Sequence, residues 1–215
     1  MMPLLAQAQD DLPDDGCPDR VPRIAVVTDI EDYVYDHSRS IAELGKLKPS
    51  AQTGSGHLLG LTRQQFESGG DTTEPLLLPQ EDGHICVGHT DGVLVLRLRT
   101  FIFVAREVSP GSCLYEQVLA HEQRHAKVGQ RLYEEFAAKL EAAINEELAK
   151  QPFIRVADPL SAIAVARSRL QDIFNPLLRD FRSVYRKRQA IIDTTGEFDR
   201  VEATCPGEAG RLIRQ

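Results

Sequence analysis

The sequence has no tryptophan, only two methionines and no long apolar run. A membrane-spanning helix requires about 20 consecutive apolar residues, so the composition predicts no transmembrane segment. Basic residues are also in the minority, with 25 lysines and arginines against 32 acidic residues and a net charge of -7. Because a nucleic-acid-binding surface needs concentrated positive charge, we expect no DNA or RNA partner.

Cysteine is scarce as well, and the four cysteines are widely spaced, at Cys17, Cys86, Cys113 and Cys205. The absence of any C-x-x-C pair argues against a thiolate zinc site and a dithiol redox motif. One or two disulfides in an oxidising compartment are the alternative, with three possible pairings. The first residues, MMPLLAQAQ, resemble the end of a secretory signal, although a frayed cytosolic terminus is the alternative. Together these features predict a secreted or periplasmic protein.

The length of 215 residues favours one domain. Residues 1–22 are interpreted as a signal remnant followed by an extended lead-in, because residues 10–22 contain five aspartates and three prolines. We expect a single domain at residues 23–200 and a C-terminal tail at residues 201–215, which Cys205 could tether.

The first half of that domain is strand-like. Short β-branched and aromatic runs predict strands near residues 24–27 and 33–35, and a short helix is expected at residues 39–47. Residues 48–83 are rich in Gly, Ser, Thr, Pro and Gln, which predicts a loop with one strand near residues 58–61. The clearest strand is Gly92–Val104, which we expect to be an edge or two-sided strand.

Two long helices follow. Ser109-Pro110 is a helix-start signal, with proline at the first helical position, and the helical pattern continues to about Lys150. Asp158-Pro159 starts the second helix, which runs toward Ile192. Asn175-Pro176 predicts a kink or a restart inside it, and Gly196 is expected to close the segment.

One motif carries chemistry: His121-Glu122-Gln123-Arg124-His125, an H-E-x-x-H pattern inside the first long helix. Two histidines four residues apart differ by about 40 degrees around a helix, so both imidazoles can reach one metal ion. The glutamate then lies beside the metal. The pattern therefore predicts Zn²⁺ bound by His121 and His125, with Glu122 as the catalytic base.

Chance is the competing explanation for this motif. With six histidines per chain, an accidental H-E-x-x-H should occur in about one such chain per hundred. On a helical wheel of about 100 degrees per residue, both histidines fall at the centre of the apolar stripe, and the glutamate falls at its edge. Two inward-facing histidines without a metal would need several buried hydrogen-bond partners. Metal binding is the simpler interpretation, in a catalytic site or in a purely structural one.

The third protein ligand must come from outside the motif, because Val128 and Arg131 stand where the extended motif has glycine and histidine. If the two long helices form an antiparallel hairpin, residues 180–190 lie beside the motif and the segment after them slightly beyond. Asp193 and Glu197 are then both within reach. We take Asp193 as the third metal ligand, with Glu197 as the alternative.

The chain resembles the zincin metallopeptidases, and more closely an uncharacterised family of predicted secreted bacterial zinc proteases. The resemblance spans most of residues 30–197 and rests on four segments: YDHS at 35–38 leading into IAEL at 41–44, the strand at 93–104, VLAHEQRH at 118–125, and DTT at 193–195. The family usually has a histidine after the last segment, where this chain has Gly196-Glu197. The resemblance implies a zincin-like α+β fold, with a small antiparallel sheet packed on a motif helix that pairs with a second long helix.

These observations predict a zinc-dependent peptide-bond hydrolase that acts on a peptide or protein substrate. By the same resemblance, the strand Gly92–Val104 would align an extended peptide by β-augmentation. Its Arg97 and Arg99 would then favour acidic substrates. Tyr185 is a candidate hydrogen-bond donor to the oxyanion.

A non-enzymatic protein is the alternative. Residues 110–192 could form a periplasmic helical hairpin that presents an interaction face, with a structural metal site or none. Two long, charged, amphipathic helices are as typical of such a protein as of an enzyme. Nothing in the sequence predicts an oligomeric state.

Overall fold

A computed structural model describes residues 16–47, 58–69 and 74–213. The signal remnant and the start of the predicted lead-in, at residues 1–15, lie outside the described residues, as do residues 48–57 and 70–73 of the predicted loop. The described chain mixes helices with two small sheets, and the predicted α+β class is confirmed at this level.

The strands and helices of the described residues have the following bounds. The strands are β1 (Ile24–Ile30), β2 (Val34–Asp36), β3 (Gly60–Gly69), β4 (Pro75–Pro79), β5 (Ile85–His89), β6 (Gly92–Val104) and β7 (Ile154–Val156). The helices are α1 (Ile41–Leu47), α2 (Cys113–Lys150), α3 (Pro159–Ile192), α4 (Thr195–Thr204) and α5 (Glu208–Ile213). No helix in this part of the chain is long and apolar enough to cross a membrane.

The chain divides into two compact units, where the sequence predicted one domain at residues 23–200. The first unit comprises Met1–Val26, Gly70–Leu94 and Lys139–Pro176, and the second comprises Val27–Gly69, Val95–Ala138 and Leu177–Gln215. Both long helices contribute residues to both units. The motif and both candidate third ligands belong to the second unit.

The first unit is built on an antiparallel sheet of order β4-β5-β7. Ile85 and Val87 of β5 pack against Ala162 and Ala166 of α3. A disulfide joins Cys17 to Cys86, and Phe153 packs against both cysteines. This unit is therefore held by an apolar core and a covalent bond.

The sheet of the second unit is organised around β6, which pairs with β1, β2 and β3. The pairing with β2 is parallel and the pairing with β3 is antiparallel, and both use residues 101–103 of β6. One strand segment has only two edges, so β2 and β3 occupy opposite sides of β6. The expectation that Gly92–Val104 offers a free edge to a peptide is therefore wrong. Among the described strands, β3 pairs with β6 alone.

The two arginines of β6 are also already engaged. Leu96 and Leu98 are buried on one face of the strand, and Arg97 and Arg99 project from the other. The Arg97 Nε atom lies 2.9 Å from Asp29, and the Arg99 Nε atom lies 2.6 Å from Glu31. These carboxylates neutralise the cations that were expected to favour acidic substrates.

The predicted loop at residues 48–83 was expected to contain one strand near residues 58–61, and its described parts contain two, β3 and β4. Strand β3 begins near the expected position, but its extension to Gly69 was missed because its sequence, GLTRQQFESG, lacks the apolar alternation of a half-buried strand. Its polar side chains have specific partners instead. The Gln64 amide donates hydrogen bonds to Thr100 Oγ1 and to the Ala126 carbonyl, at 3.2 and 3.1 Å.

The helix ends follow local capping chemistry. Helix α3 begins at Pro159 as predicted, and the Asp158 carboxylate accepts hydrogen bonds from the amides of Leu160 and Ser161. Helix α2 begins at Cys113 instead of Pro110, because the hydroxyl of Ser112 accepts a hydrogen bond from the Tyr115 amide. Helix α3 continues through Pro176 without a restart.

An aromatic cluster fixes α3 beside α2 and β3 within the second unit. The Phe66 ring of β3 lies 5.0 Å from Tyr133 of α2 and 5.0 Å from Phe181 of α3, between ring centroids. Phe136 of α2 lies 5.1 Å from Phe181. Since the chain direction of α3 is opposite to that of α2 along these contacts, residues 189–193 arrive beside the motif.

The expected C-terminal tail is helical in its described part. Residues 201–204 complete α4, Gly196 lies inside that helix instead of closing the segment before it, and α5 follows. Cys205, directly after α4, forms a disulfide with Cys113 at the start of α2. The predicted disulfides are therefore present, and this one joins the start of the motif helix α2 to the end of α4.

Candidate metal centre

The motif residues lie in the third and fourth turns of α2, on the flank between β3 and α3. Glu122 and His125 are buried, with 5% and 7% of their surfaces exposed, and 18% of the His121 side chain is exposed. The sequence placed the histidines at the centre of the apolar stripe and the glutamate at its edge, whereas the structure buries Glu122 as fully as His125. Helix α2 has β3 on one side and α3 on another, so its buried face is wider than a single stripe.

His121, His125 and Asp193 form a group that could hold a metal ion. The Asp193 Oδ1 atom lies 3.2 Å from His121 Nε2 and 2.9 Å from His125 Nε2. The two Nε2 atoms are 3.0 Å apart. Ligands at 2.0 to 2.1 Å from a tetrahedral zinc ion are separated by about 3.3 Å. The three atoms therefore have nearly the spacing of three zinc ligands.

Gln189 fixes the orientation and the tautomer of His125. The Gln189 side-chain amide donates a hydrogen bond to the backbone carbonyl of His125, at 3.2 Å. Its carbonyl oxygen is then the atom that faces His125 Nδ1 and accepts a hydrogen bond from it. Because Nδ1 carries the proton, the Nε2 lone pair points toward Asp193.

Glu197 has the same role for His121. Its Oε1 atom lies 3.2 Å from His121 Nδ1 and also accepts hydrogen bonds from Arg124 and Arg200. Arg124 lies close to His121 Nδ1 because both groups donate to the same oxygen. The hydrogen bond from Arg200 is the main cause that lowers the pKa of Glu197 to about 2. Glu197 therefore contacts Nδ1 of His121, and Asp193 contacts Nε2 of the same ring.

This arrangement directs three hydrogen-bond acceptors at one point. With both Nδ1 atoms protonated, the two Nε2 lone pairs and the Asp193 carboxylate repel one another unless a cation lies among them. Burial would raise the pKa of Asp193, but where protons in place of a metal ion occupy the two Nε2 atoms, hydrogen bonds from His121 and His125 outweigh burial and lower that pKa. Burial would lower the pKa of His125, but its bonds to Asp193 and Gln189 raise it. The group thus requires positive charge, which a metal ion or protons can supply.

Glu122 lies against the edge strand β3. Its Oε2 atom accepts a hydrogen bond from the Thr62 hydroxyl at 2.8 Å. A Cβ atom at Gly60 would lie 2.7 Å from Oε1, so the glycine leaves the space that this oxygen occupies. Burial raises the pKa of the Glu122 carboxyl, and the histidines act in the opposite direction. A raised pKa makes its carboxylate a stronger base.

A second glycine allows the strand and the helix to approach. A Cβ atom at Gly129 would overlap the Gln64 side chain. The oxygen of that side chain accepts a hydrogen bond from the Tyr185 hydroxyl, at 3.2 Å. Tyr185, expected as a donor to the oxyanion, thus has a partner on β3.

Sequence reasoning missed three residues of this site. Gln189 precedes Asp193 by four residues, close to one helical turn, which was a usable signal once Asp193 was a candidate. Thr62 had no signal, because the strand predicted in this region ended at residue 61. Arg200 lies three residues after Glu197 in α4, a spacing typical of helical ion pairs.

Comparison with protein-family models, with curated proteins and with solved structures finds no match to this chain. The site is therefore interpreted from its own residues.

Proposed function

We propose that the protein is a zinc-dependent peptide-bond hydrolase of the zincin type. One observation carries the proposal: three lone pairs, from His121, His125 and Asp193, converge with ligand spacing, and a buried carboxylate follows the first histidine directly. Two imidazoles and one carboxylate, with room for a fourth group, are the ligand set of catalytic zinc in several hydrolases. Glu197 supports His121 instead of competing with Asp193.

The residues around the metal position divide the chemistry between them. A bound zinc ion supplies Lewis-acid chemistry, which polarises a carbonyl group and acidifies water. Glu122 Oε1, the oxygen that Thr62 does not hold, accepts the proton from the attacking water and then returns it to the leaving amine. Thr62 keeps the carboxylate oriented during both transfers.

Strand β3 is the best support for an extended substrate. Its first residues border Glu122, through Gly60 and Thr62. An extended peptide can add to a strand edge through backbone hydrogen bonds, which align it without regard to its side chains. This gives β3 the role that the sequence had suggested for β6.

The two disulfides support the proposed compartment. Both disulfides, Cys17–Cys86 and Cys113–Cys205, join residues far apart in the sequence. Such bonds persist in oxidising compartments. We therefore include a secreted or periplasmic location in the proposal.

Metal content is the first test. We expect one zinc ion per chain in the purified wild type by elemental analysis, with loss in His121→Ala and retention in Glu122→Gln. His84→Ala is the matched control, because His84 is an exposed histidine of the first unit and lies near Asp82. If the wild type binds no zinc after reconstitution at neutral pH, the interaction protein becomes the better interpretation.

Hydrolysis of an unstructured protein substrate is the second test. Because Glu122 moves the proton, Glu122→Gln should lower turnover by about 100- to 10,000-fold while zinc stays bound. Unchanged turnover in that variant would contradict the assignment of the base, and zinc binding without turnover in the wild type would indicate a structural site.

A further inference from the structure

The second half of α3 concentrates positive charge in an acidic protein. Residues 177–192 contain five basic residues and one acidic residue, a net charge of +4 in a chain of net charge -7. The rest of the chain therefore carries -11. The five basic side chains are all exposed: Arg179, Arg182, Arg186, Lys187 and Arg188.

None of these five cations pairs with a carboxylate elsewhere in the described chain. This differs from the arginines of β6 and from Arg124 and Arg200, each of which has an acidic partner. Charges of one sign on one helix turn repel each other, by a few tenths of a kcal/mol per pair. A fold that keeps five of them unpaired has a surface that an anionic group would stabilise.

Two of the arginines lie in register with the candidate metal centre. Arg182, Arg186 and Gln189 are spaced by four and three residues and form one row along α3. Asp193, four residues after Gln189 and just past the end of α3, contacts the same His125 ring as Gln189. With a rise of 1.5 Å per residue, Arg186 lies about 10 Å and Arg182 about 16 Å from Asp193 along the helix. These distances correspond to several residues of an extended substrate, at about 3.3 Å per residue.

We propose that this row, Arg182 and Arg186, binds an acidic segment of the polypeptide substrate. The inference rests on the proposed function, because it treats the metal centre as the place of cleavage. One turn of the row spans about 6 Å, close to the 6.6 Å between alternate residues of an extended peptide. Acidic side chains at alternate positions of the substrate would meet the two arginines in turn.

Other polyanions fit this surface less well. A membrane-binding helix needs an apolar face that is free to insert, but the apolar face of α3 is packed against Phe66 and Tyr133. The exposed Val184 and Ile191 project about 180 degrees away from the arginine row. A nucleic acid carries negative charge along its whole length, so beyond the five basic residues it would meet the net negative charge of the rest of the chain, whereas a short acidic segment would not.

The test is a binding measurement that needs no turnover. Metal-free protein is titrated against three labelled peptides of equal length, with alternating glutamates, with glutamines in their place, or with lysines, by fluorescence anisotropy. We expect the acidic peptide to bind best, and Arg182→Ala/Arg186→Ala to weaken it by about five- to tenfold, as for two solvent-exposed ion pairs. The affinity should also fall with added salt.

The chain offers a matched control, Lys127→Ala/Arg131→Ala. These residues are also exposed, four apart on a long helix and without a carboxylate partner among the described residues. This double variant should change the affinity by less than about twofold. An equal loss in both double variants would mean a diffuse charge effect and would overturn the proposal, as would equal binding of the acidic and glutamine peptides.

Two further outcomes separate this proposal from the assignment of the reaction. Tighter binding of phosphatidylserine vesicles or of a polynucleotide than of the acidic peptide, lost in Arg182→Ala/Arg186→Ala, would overturn the choice of ligand. Hydrolysis without a preference for acidic substrates would contradict the proposed role of Arg182 and Arg186 and leave the proposed function standing. Arginine-dependent binding of the acidic peptide without zinc binding would support the surface and contradict the enzyme.

Discussion

The two ends of helix α3 show how differently the two units use the same kinds of residue. At its first turn, in the first unit, Asp158 caps the helix by accepting hydrogen bonds from backbone amides. Just after its last turn, in the second unit, Asp193 faces two histidine nitrogens. Asp158 therefore accepts hydrogen bonds from backbone amides, whereas Asp193 contacts two histidines with which it could share a cation.

The same contrast holds for the other polar contacts of the two units. In the first unit, Asn145 bonds the amide and the carbonyl of Ile24, and Arg169 donates to carbonyls at the end of α2. These contacts join side chains to backbone groups and so stabilise the first unit. In the second unit, Gln189 and Glu197 instead hold histidine rings in chosen orientations. Side chains that orient other side chains are what a functional site requires.

Replacing the two aspartates tests this contrast most strongly. Asp193→Ala should weaken zinc binding by more than the about 10- to 100-fold typical of losing a group behind a metal ligand. Asp158→Ala should leave zinc affinity unchanged and cost about 0.5 to 2 kcal/mol of stability through the lost cap. Titration against a chromophoric chelator and urea unfolding measure the two effects. Glu197→Gln should fall within the 10- to 100-fold range, and a larger loss there than in Asp193→Ala would make Glu197 the ligand.

The two disulfides give the second comparison. Removing either should cost about 2 to 5 kcal/mol of stability. Only Cys113→Ser/Cys205→Ser should also weaken zinc binding, by about tenfold, because this bond ties α4, which carries Glu197, to the start of the motif helix. Cys17→Ser/Cys86→Ser is the control in the first unit, and chelator titration below each melting temperature is the measurement. Equal zinc affinities in the two double variants would contradict this role of α4.

Two glycines that lie against side chains give a third comparison. A Cβ atom at Gly60 would lie 2.7 Å from Glu122 Oε1, and one at Gly88 would lie 2.6 Å from the Phe153 ring. Gly60→Ala should therefore displace Glu122, the proposed base, and lower turnover about tenfold or more at unchanged zinc content. Gly88→Ala should cost about 1 to 3 kcal/mol by overpacking and leave turnover unchanged. If both variants lose turnover in proportion to their stability, the effect at Gly60 is only structural.

The sequence could predict the parts of this molecule that depend on local spacing. The four-residue spacing of the histidines and the Asp158-Pro159 helix start are local, and the structure has both. Predicting that Asp193 lies beside the motif required only the lengths of the two long helices and the assumption that they are antiparallel. The disulfide pairing and the partners of β6 depend on distant residues, so the sequence left them open.

The errors have a physical cause that the two sides of α2 illustrate. A wheel drawn over a 38-residue helix averages the face that meets β3 with the face that meets α3. Glu122 is buried toward β3, and most of that strand went unpredicted because Thr62 and Gln64 bond helix groups instead of alternating with apolar residues. Buried polar residues with specific partners resemble a loop in composition.

The smallest expected effect concerns pH, and it again separates the two units. All five tyrosines lie in the second unit: Tyr33, Tyr35, Tyr115, Tyr133 and Tyr185. Burial raises the pKa of Tyr133 and of Tyr185 to about 12. Between pH 10 and 12 the unfolded chain loses these protons while the folded chain retains them, so the free energy of unfolding falls as pH rises.

Urea unfolding at pH 9, 10 and 11, followed by circular dichroism, measures this decline. The Tyr133→Phe/Tyr185→Phe variant removes both phenols, so its stability should decline less with pH than that of the wild type, by on the order of 1 to 2 kcal/mol. Tyr115→Phe is the matched control, and its slope should follow the wild type. An equal slope in all three proteins would mean that other groups govern alkaline stability and that the phenols ionise without unfolding the second unit.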